Sequence, residues 1–172
     1  MNSIKRTKRI ALLIVAAAAM VLAANTQASA QDSHPLKLDF VAAGGGPPNI
    51  ELLADGTLIF KVAVIQSVSG DLTGTLTENI TQVYPLADED GLLPITTSFT
   101  LQTSSGTIKG YYKGTFMHMQ DGTHMITEHG EILSVTGAYA DLYQANVLYQ
   151  GVLLADHMTA SGTITIQPRA KR

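Results

Sequence analysis

Hydrophobic and polar positions alternate along most of the chain, and the stretch 106–120 shows the pattern most clearly. Its odd positions are mostly Thr and Lys, whereas glycine and bulky residues take turns at its even positions. Successive side chains of a strand point to opposite faces, so the pattern predicts one solvated and one enclosed face. Alternating glycine is typical of a strand that bends around a small, filled barrel. The even positions are Gly106, Ile108, Gly110, Tyr112, Gly114, Phe116 and His118.

Similar alternation predicts several further strands. They are separated by turn signals such as Ser67-Val68-Ser69-Gly70, and no helix is expected outside residues 1–30. The pattern favours an all-β fold, a single antiparallel up-and-down barrel of about eight strands, over a sandwich. Closure would also remove the unpaired edges of the sheet. The other predicted strands are 58–64, 70–82, 95–101, 123–135, 145–154 and 158–166.

The turn at Gln120-Asp121-Gly122 sets the register of the two strands that it joins. A two-residue loop would place Phe116 opposite Thr127. A three-residue loop with Gly122 in the left-handed region places Phe116 opposite Ile126, and we favour this register because large side chains then cover the gaps left by glycines. Its other cross-strand pairs are Gly110 with Ile132, Tyr112 with Gly130, Gly114 with Glu128 and His118 with His124.

Residues 1–30 have the pattern of a secretory signal peptide, predicted here as a signal helix. Four basic residues precede an apolar run at 10–24, and Ala28-Ser29-Ala30 follows. The run is shorter than the roughly 20 residues that span a bilayer, so we expect a cleaved signal and a secreted or periplasmic bacterial protein that does not span the membrane. Residues 31–56 are interpreted as an initial strand with a Gly/Pro-rich linker, and 57–172 as the barrel domain.

The composition of the chain limits which binding partners and cofactors are expected. The chain has no cysteine, so no disulfide is expected. Four of its 11 Lys and Arg residues lie in 1–30, which leaves seven against 14 Asp and Glu and a net charge of −7. Nucleic acid is therefore not expected as a partner. No phosphate-cradling loop or nucleotide fingerprint occurs, and no cofactor is predicted.

Three segments resemble a known family. The run 106–116 (GTIKGYYKGTF), Gly130-Glu131-Ile132 and the run 135–142 (VTGAYADL) resemble the allene oxide cyclase barrel, an eight-stranded calycin-like fold shared with dirigent proteins. The resemblance covers roughly residues 57–167. Ser134-Val135 stands where the family usually has two glycines before the Thr-Gly corner. Because no catalytic residue of the family aligns with this chain, none is transferred to it.

The resemblance implies a cavity inside the barrel. Members of the family cyclise a fatty-acid epoxide, steer the coupling of phenol radicals or guide an intramolecular cycloaddition. In each case a hydrophobic cavity folds a flexible substrate. For this chain the resemblance therefore implies a ligand-binding barrel and, if it is an enzyme, an isomerase or cyclase of the allene oxide cyclase type.

Two carboxylates are the candidate catalytic residues. Glu78 shares a row with Leu76 and Ile80, and an enclosed carboxyl there would have a raised pKa suited to proton transfer. Glu128 is a second candidate on the same reasoning. The alternative places each carboxylate in water, at the barrel mouth or after a one-residue slip of register. The candidate ligand-binding residues are Phe60, Leu76, Tyr112, Phe116, His118 and His124; Tyr112 could instead be a core residue.

The sequence is also compatible with two other functions. Histidine and methionine occur together at 117–119, 124–125 and 157–158, and this combination suits copper, with His118 and His124 as the ligand pair of a periplasmic copper-binding protein. The second alternative is a structural or protein-interaction barrel without a ligand. In that case the apolar outer row of 145–154, a strand expected to be covered on both faces, could form a homo-oligomer.

Overall fold

A computed structural model describes residues 34–85 and 91–169 of the protein. The predicted signal peptide lies outside this part of the chain. Nine strands and one short 3-10 helix, Gly137–Leu142, follow one another in the described residues. No helix among them is long and apolar enough to cross a membrane. The strands are β1 Leu36–Gly45, β2 Asn49–Leu52, β3 Leu58–Gly70, β4 Gly74–Tyr84, β5 Leu92–Thr103, β6 Gly106–His118, β7 His124–Val135, β8 Asn146–Leu153 and β9 Thr159–Gln167.

The strands form one closed antiparallel barrel of eight strands, which confirms the predicted all-β class. Strands β3 to β8 each pair with the next strand in the chain, and β1 completes the ring by pairing with both β9 and β3. Leu38, for example, lies opposite Ile164 on β9 and Gly70 on β3. The sequence predicted that the barrel domain begins at residue 57. The structure adds β1, whose alternate residues Leu38, Phe40 and Ala42 are buried in the core.

Strand β2 lies in the segment interpreted as a linker. The pairing of β1 with β3 ends at Gly45, and β2 then continues along the first residues of β3, with Ile50 opposite Phe60 and Leu52 opposite Leu58. The glycines and prolines at 44–48 make the bend between the two strands. Strand β2 therefore extends the sheet beyond the ring at one end of the barrel.

The hairpin of β6 and β7 has the predicted register. All five expected pairs are found, including Phe116 with Ile126 and Tyr112 with Gly130, and Gly122 is in the left-handed region with φ of 82°. The glycines make room for neighbouring rings as expected. A Cβ at Gly110 would lie 2.7 Å from Phe99 Cζ, so the Phe99 ring occupies the space that a side chain there would need.

Several details differ from the predictions. Strand β4 begins at Gly74 rather than at residue 70, β5 begins at Leu92 rather than at residue 95, and the short 3-10 helix lies in a region where no helix was expected. Strand β3 does not turn at Ser67 but runs on to Gly70, because Gln66 and Val68 continue its buried row. Strand β8 is not covered on both faces: Tyr149 on the inner row is buried, whereas Val152 on the outer row is exposed.

Candidate functional site

The barrel contains a cavity of about 610 Å³ at one end. At this end lie the bend 44–48, the start of β3, the end of β4 and the turn between β8 and β9. The exposed residues His157 and Met158 form part of its wall, so this end is its mouth. The walls further inside are mainly apolar and include Val62, Val64, Ile80, Ile95, Phe116 and Ile126.

A few polar side chains interrupt the apolar wall. Gln66 and Tyr149 form one group. Gln82 and Tyr84 form another, in which the Tyr84 hydroxyl donates a hydrogen bond to Gln82 Oε1 at 3.0 Å. A cavity with apolar walls and a small number of placed polar groups is typical of a site for a small organic molecule.

Glu78 lies directly behind the first polar group. Its side chain faces the barrel interior and is 1% exposed. Gln66 Nε2 donates hydrogen bonds to Glu78 Oε2 at 2.5 Å and to the Tyr149 hydroxyl at 3.3 Å. Burial raises the pKa of Glu78 well above its ordinary value, and the neighbouring Glu128 raises it further. Burial therefore favours the neutral form of this carboxyl group, and Gln66 lies between it and the cavity.

Glu128 is the second enclosed carboxyl group and is 2% exposed. It lies on β7 and accepts a hydrogen bond of 2.9 Å from the Thr97 hydroxyl on β5. Gly114 on β6 pairs with Glu128 and has no side chain in the way, so the glutamate reaches across β6. Burial raises the pKa of Glu128 to about 8, although the bond from Thr97 acts in the opposite direction.

Four stacked aromatic rings cross the interior next to these groups. Tyr149 stacks on Phe40 with ring centroids 4.5 Å apart and on Tyr112 at 5.2 Å, and Tyr112 stacks on Phe99 at 4.9 Å. Only Tyr149 of the four also lines the cavity. The stack therefore lies at the boundary between the cavity and the packed core.

Three histidines meet near the mouth. His118 Nδ1 and His124 Nε2 are 2.7 Å apart, and the rings of His124 and His157 have centroids 5.0 Å apart. The pKa of His124 is lowered by burial and then by its two histidine neighbours. Within the described ranges no three His, Cys, Asp or Glu side chains are placed to hold a metal ion, so the copper alternative lacks a set of three such ligands there.

The structure separates the predicted site residues into two groups. Phe60, Phe116 and His124 line the cavity. Leu76 and Tyr112 are buried in the packed core, and His118 is exposed beside His124. Glu78 and Glu128 both face inward and are enclosed, but neither lines the cavity wall.

Several residues of the cavity wall were not predicted to bind the ligand. Gln66 and Tyr149 lie on inward rows, and a polar side chain among apolar neighbours on such a row could have indicated both. Gln66 was missed because a turn was expected at Ser67. His157 lies in a turn with φ of 56°, and no strand periodicity applies there.

Comparison of the chain with models of known protein families gave no match, and comparison with curated proteins also gave none. The resemblance to the allene oxide cyclase barrel therefore rests on the sequence motifs quoted above and stays a prediction.

Proposed function

We propose that the protein is an exported barrel that binds a small, largely apolar molecule in its lumen. The cavity is the observation that carries the proposal. Its volume of about 610 Å³ falls within the range of roughly 300–1,000 Å³ that is usual for sites that hold small ligands. Export rests on the signal pattern of residues 1–30. A purely structural barrel needs no such space and would be filled by its own side chains, as small barrels commonly are.

The polar groups of the cavity define where the ligand's polar end lies. Gln66 and Tyr149 present an amide and a hydroxyl to a mainly apolar part of the wall, and Gln66 Oε1 has no hydrogen-bond partner among the described residues. A buried acceptor without a partner is costly, and a ligand hydroxyl would satisfy it. The ligand is therefore an apolar molecule with a hydrogen-bonding group at one end.

Uptake of a neutral fluorescent dye such as Nile red tests the proposal. We expect the dye to bind with increased fluorescence, and Val64→Trp to weaken its binding by more than about tenfold because the indole would fill the cavity. Ile65→Trp is the matched control, because Ile65 is the next residue on β3 and its side chain is exposed on the outer face. Native mass spectrometry of protein from its own host would identify a retained ligand.

The proposal fails if folded protein takes up no dye and retains no ligand. It also fails if Val64→Trp and Ile65→Trp reduce dye binding equally, because the dye would then lie outside the lumen.

Isomerase or cyclase activity is a second candidate function. The observation that favours it is the enclosed carboxyl group of Glu78, which is hydrogen-bonded to Gln66 at the cavity wall and whose pKa is raised by burial. Through Gln66, such a group can support the Tyr149 hydroxyl, which is free to donate to a ligand oxygen and to stabilise negative charge that develops there. With a retained ligand in hand, Glu78→Gln is expected to keep its binding and to slow its conversion. Equal conversion by the wild type and the variant would contradict the role of Glu78.

A further inference from the structure

The apolar row of the cavity continues beyond the barrel mouth. Phe60 and Tyr84 line the cavity. Ile50 on β2 lies opposite Phe60, and Leu58 lies opposite both Leu52 and Tyr84. Directly opposed residues of an antiparallel pair project from the same face of the sheet. Ile50, Leu52 and Leu58, which we call the apron, therefore share the face of the sheet that lines the cavity.

The apron is exposed although it continues an inward row. Ile50 is 60% exposed, Leu52 69% and Leu58 40%, whereas Gln66 and Val68 further along the row on β3 are buried. The opposite face of the same strands carries charge: Lys61 Nζ and Glu51 Oε2 form an ion pair at 3.5 Å. Strands β2 and β3 thus have one solvated, charged face and one apolar face without a covering group among the described residues.

We propose that the apron is a second part of the binding site and holds the chain of an elongated apolar ligand whose polar end lies in the cavity. This inference rests on the proposed function and adds a ligand class to it. A compact ligand would leave exposed the three side chains that adjoin the cavity wall, whereas a chain longer than the cavity would emerge beside Phe60 and cover them. The occupant is therefore a single molecule that spans the cavity and the apron.

Primary alcohols of increasing length test the inference. Their hydroxyl group can form hydrogen bonds with Gln66 and Tyr149, and their hydrocarbon chain is uncharged. Octanol, decanol and dodecanol are compared by their displacement of Nile red. Each methylene that leaves water contributes roughly 0.8 kcal/mol, which corresponds to about a fourfold gain in affinity. If the apron binds the chain, affinity should continue to increase with each methylene that extends beyond the cavity.

The variant Ile50→Ser/Leu52→Ser removes two apron side chains that are already exposed, so the barrel should still fold, which circular dichroism checks. We expect the variant to bind octanol as the wild type does. The increase in affinity from octanol to dodecanol should be smaller in the variant by about tenfold or more. Ile65→Ser is the matched control, with the same residue type at 65% exposure on the outer face of β3. It should bind all three alcohols as the wild type does.

The outcomes separate the inference from the proposed function. If octanol binds and the variant keeps the full gain with chain length, the apron proposal is wrong and lumen binding stands. If no alcohol displaces the dye and no dye binds, lumen binding itself is wrong. If size-exclusion chromatography shows a wild-type dimer that Ile50→Ser/Leu52→Ser dissociates, a second copy covers the apron and the ligand proposal is overturned.

Discussion

Two glutamates lie inside a barrel that has no buried lysine or arginine among its described residues. An unpaired ionised carboxylate is very costly in such a place, so burial favours the neutral form of both groups. The sequence indicated this for Glu78, because its row also carries Leu76 and Ile80. It could not show that Gln66 would lie between the carboxyl group and the cavity, because the turn expected at Ser67 lies inside β3 and left Gln66 outside the predicted strand.

The pH dependence of stability should reveal these carboxyl groups. The pKa of Glu128 rises on folding from 4.5 to about 8, so its stabilising effect is complete below pH 4.5 and is lost as the pH rises toward 8. Across this window the free energy of unfolding should fall by about 1.4 kcal/mol per pH unit through the titration of Glu128. Urea unfolding at several pH values should show a shallower fall for Glu128→Gln.

Asp39→Asn is the control for this measurement, because Asp39 is an exposed carboxylate on the outer face of β1. It should leave the slope unchanged. A slope in Glu128→Gln equal to that of the wild type would mean that Glu128 is ionised in the folded protein.

Tyr112 should act as a core residue. It is fully buried, stacks on Phe99 and Tyr149, and its hydroxyl has no hydrogen-bond partner among the described residues. Tyr112→Ala should lower the free energy of unfolding by about 3–5 kcal/mol, whereas Tyr112→Phe should be neutral or stabilising because it removes an unsatisfied polar group. Thermal and urea unfolding measure both. A large loss in Tyr112→Phe would show that the hydroxyl has a partner, such as a buried water.

At the scale of the elements, the hairpin of β6 and β7 was predictable in register as well as in position. Alternating glycines and rings leave only one alignment in which each ring covers a gap, and Gly122 fits the turn that this alignment needs. The role of β1 and the existence of β2 were not predictable in the same way. Their pairing partners lie far along the chain or beyond a bend, and the exposed residues of β2 carry no burial pattern.

Gly114→Ala should destabilise the hairpin. A Cβ there would lie 2.7 Å from Glu128 Cα and would meet the backbone oxygen of Thr127, so two paired strands would have to separate. Such overpacking typically costs about 1–3 kcal/mol, which should appear as a lower melting temperature. Gly46→Ala is the control, because the nearest atom to a Cβ there is 3.6 Å away. Equal melting temperatures for the two variants would contradict the close approach at Gly114.

At the scale of the whole molecule, the barrel is complete only when β1 is present. Without it, β3 and β9 would each expose an unpaired edge, and the core would lose Leu38 and Phe40. A chain that begins at residue 46 should therefore show no cooperative urea transition, whereas one that begins at residue 34 should unfold cooperatively. Near-ultraviolet circular dichroism and urea titration make the comparison. A cooperative transition in the shorter chain would show that the ring can close without β1.

The pairing of β1 with β9 also determines when this protein can finish folding. The ribosome makes β1 before any other strand described here, yet one of its two neighbours is the last strand of the sheet. Until β9 has been made, the edge of β1 that pairs with β9 remains open to other nascent chains. The ring therefore closes only after all eight of its strands have been synthesised, and contacts so distant in sequence favour slow folding. A holding chaperone would be most useful to this protein during that interval.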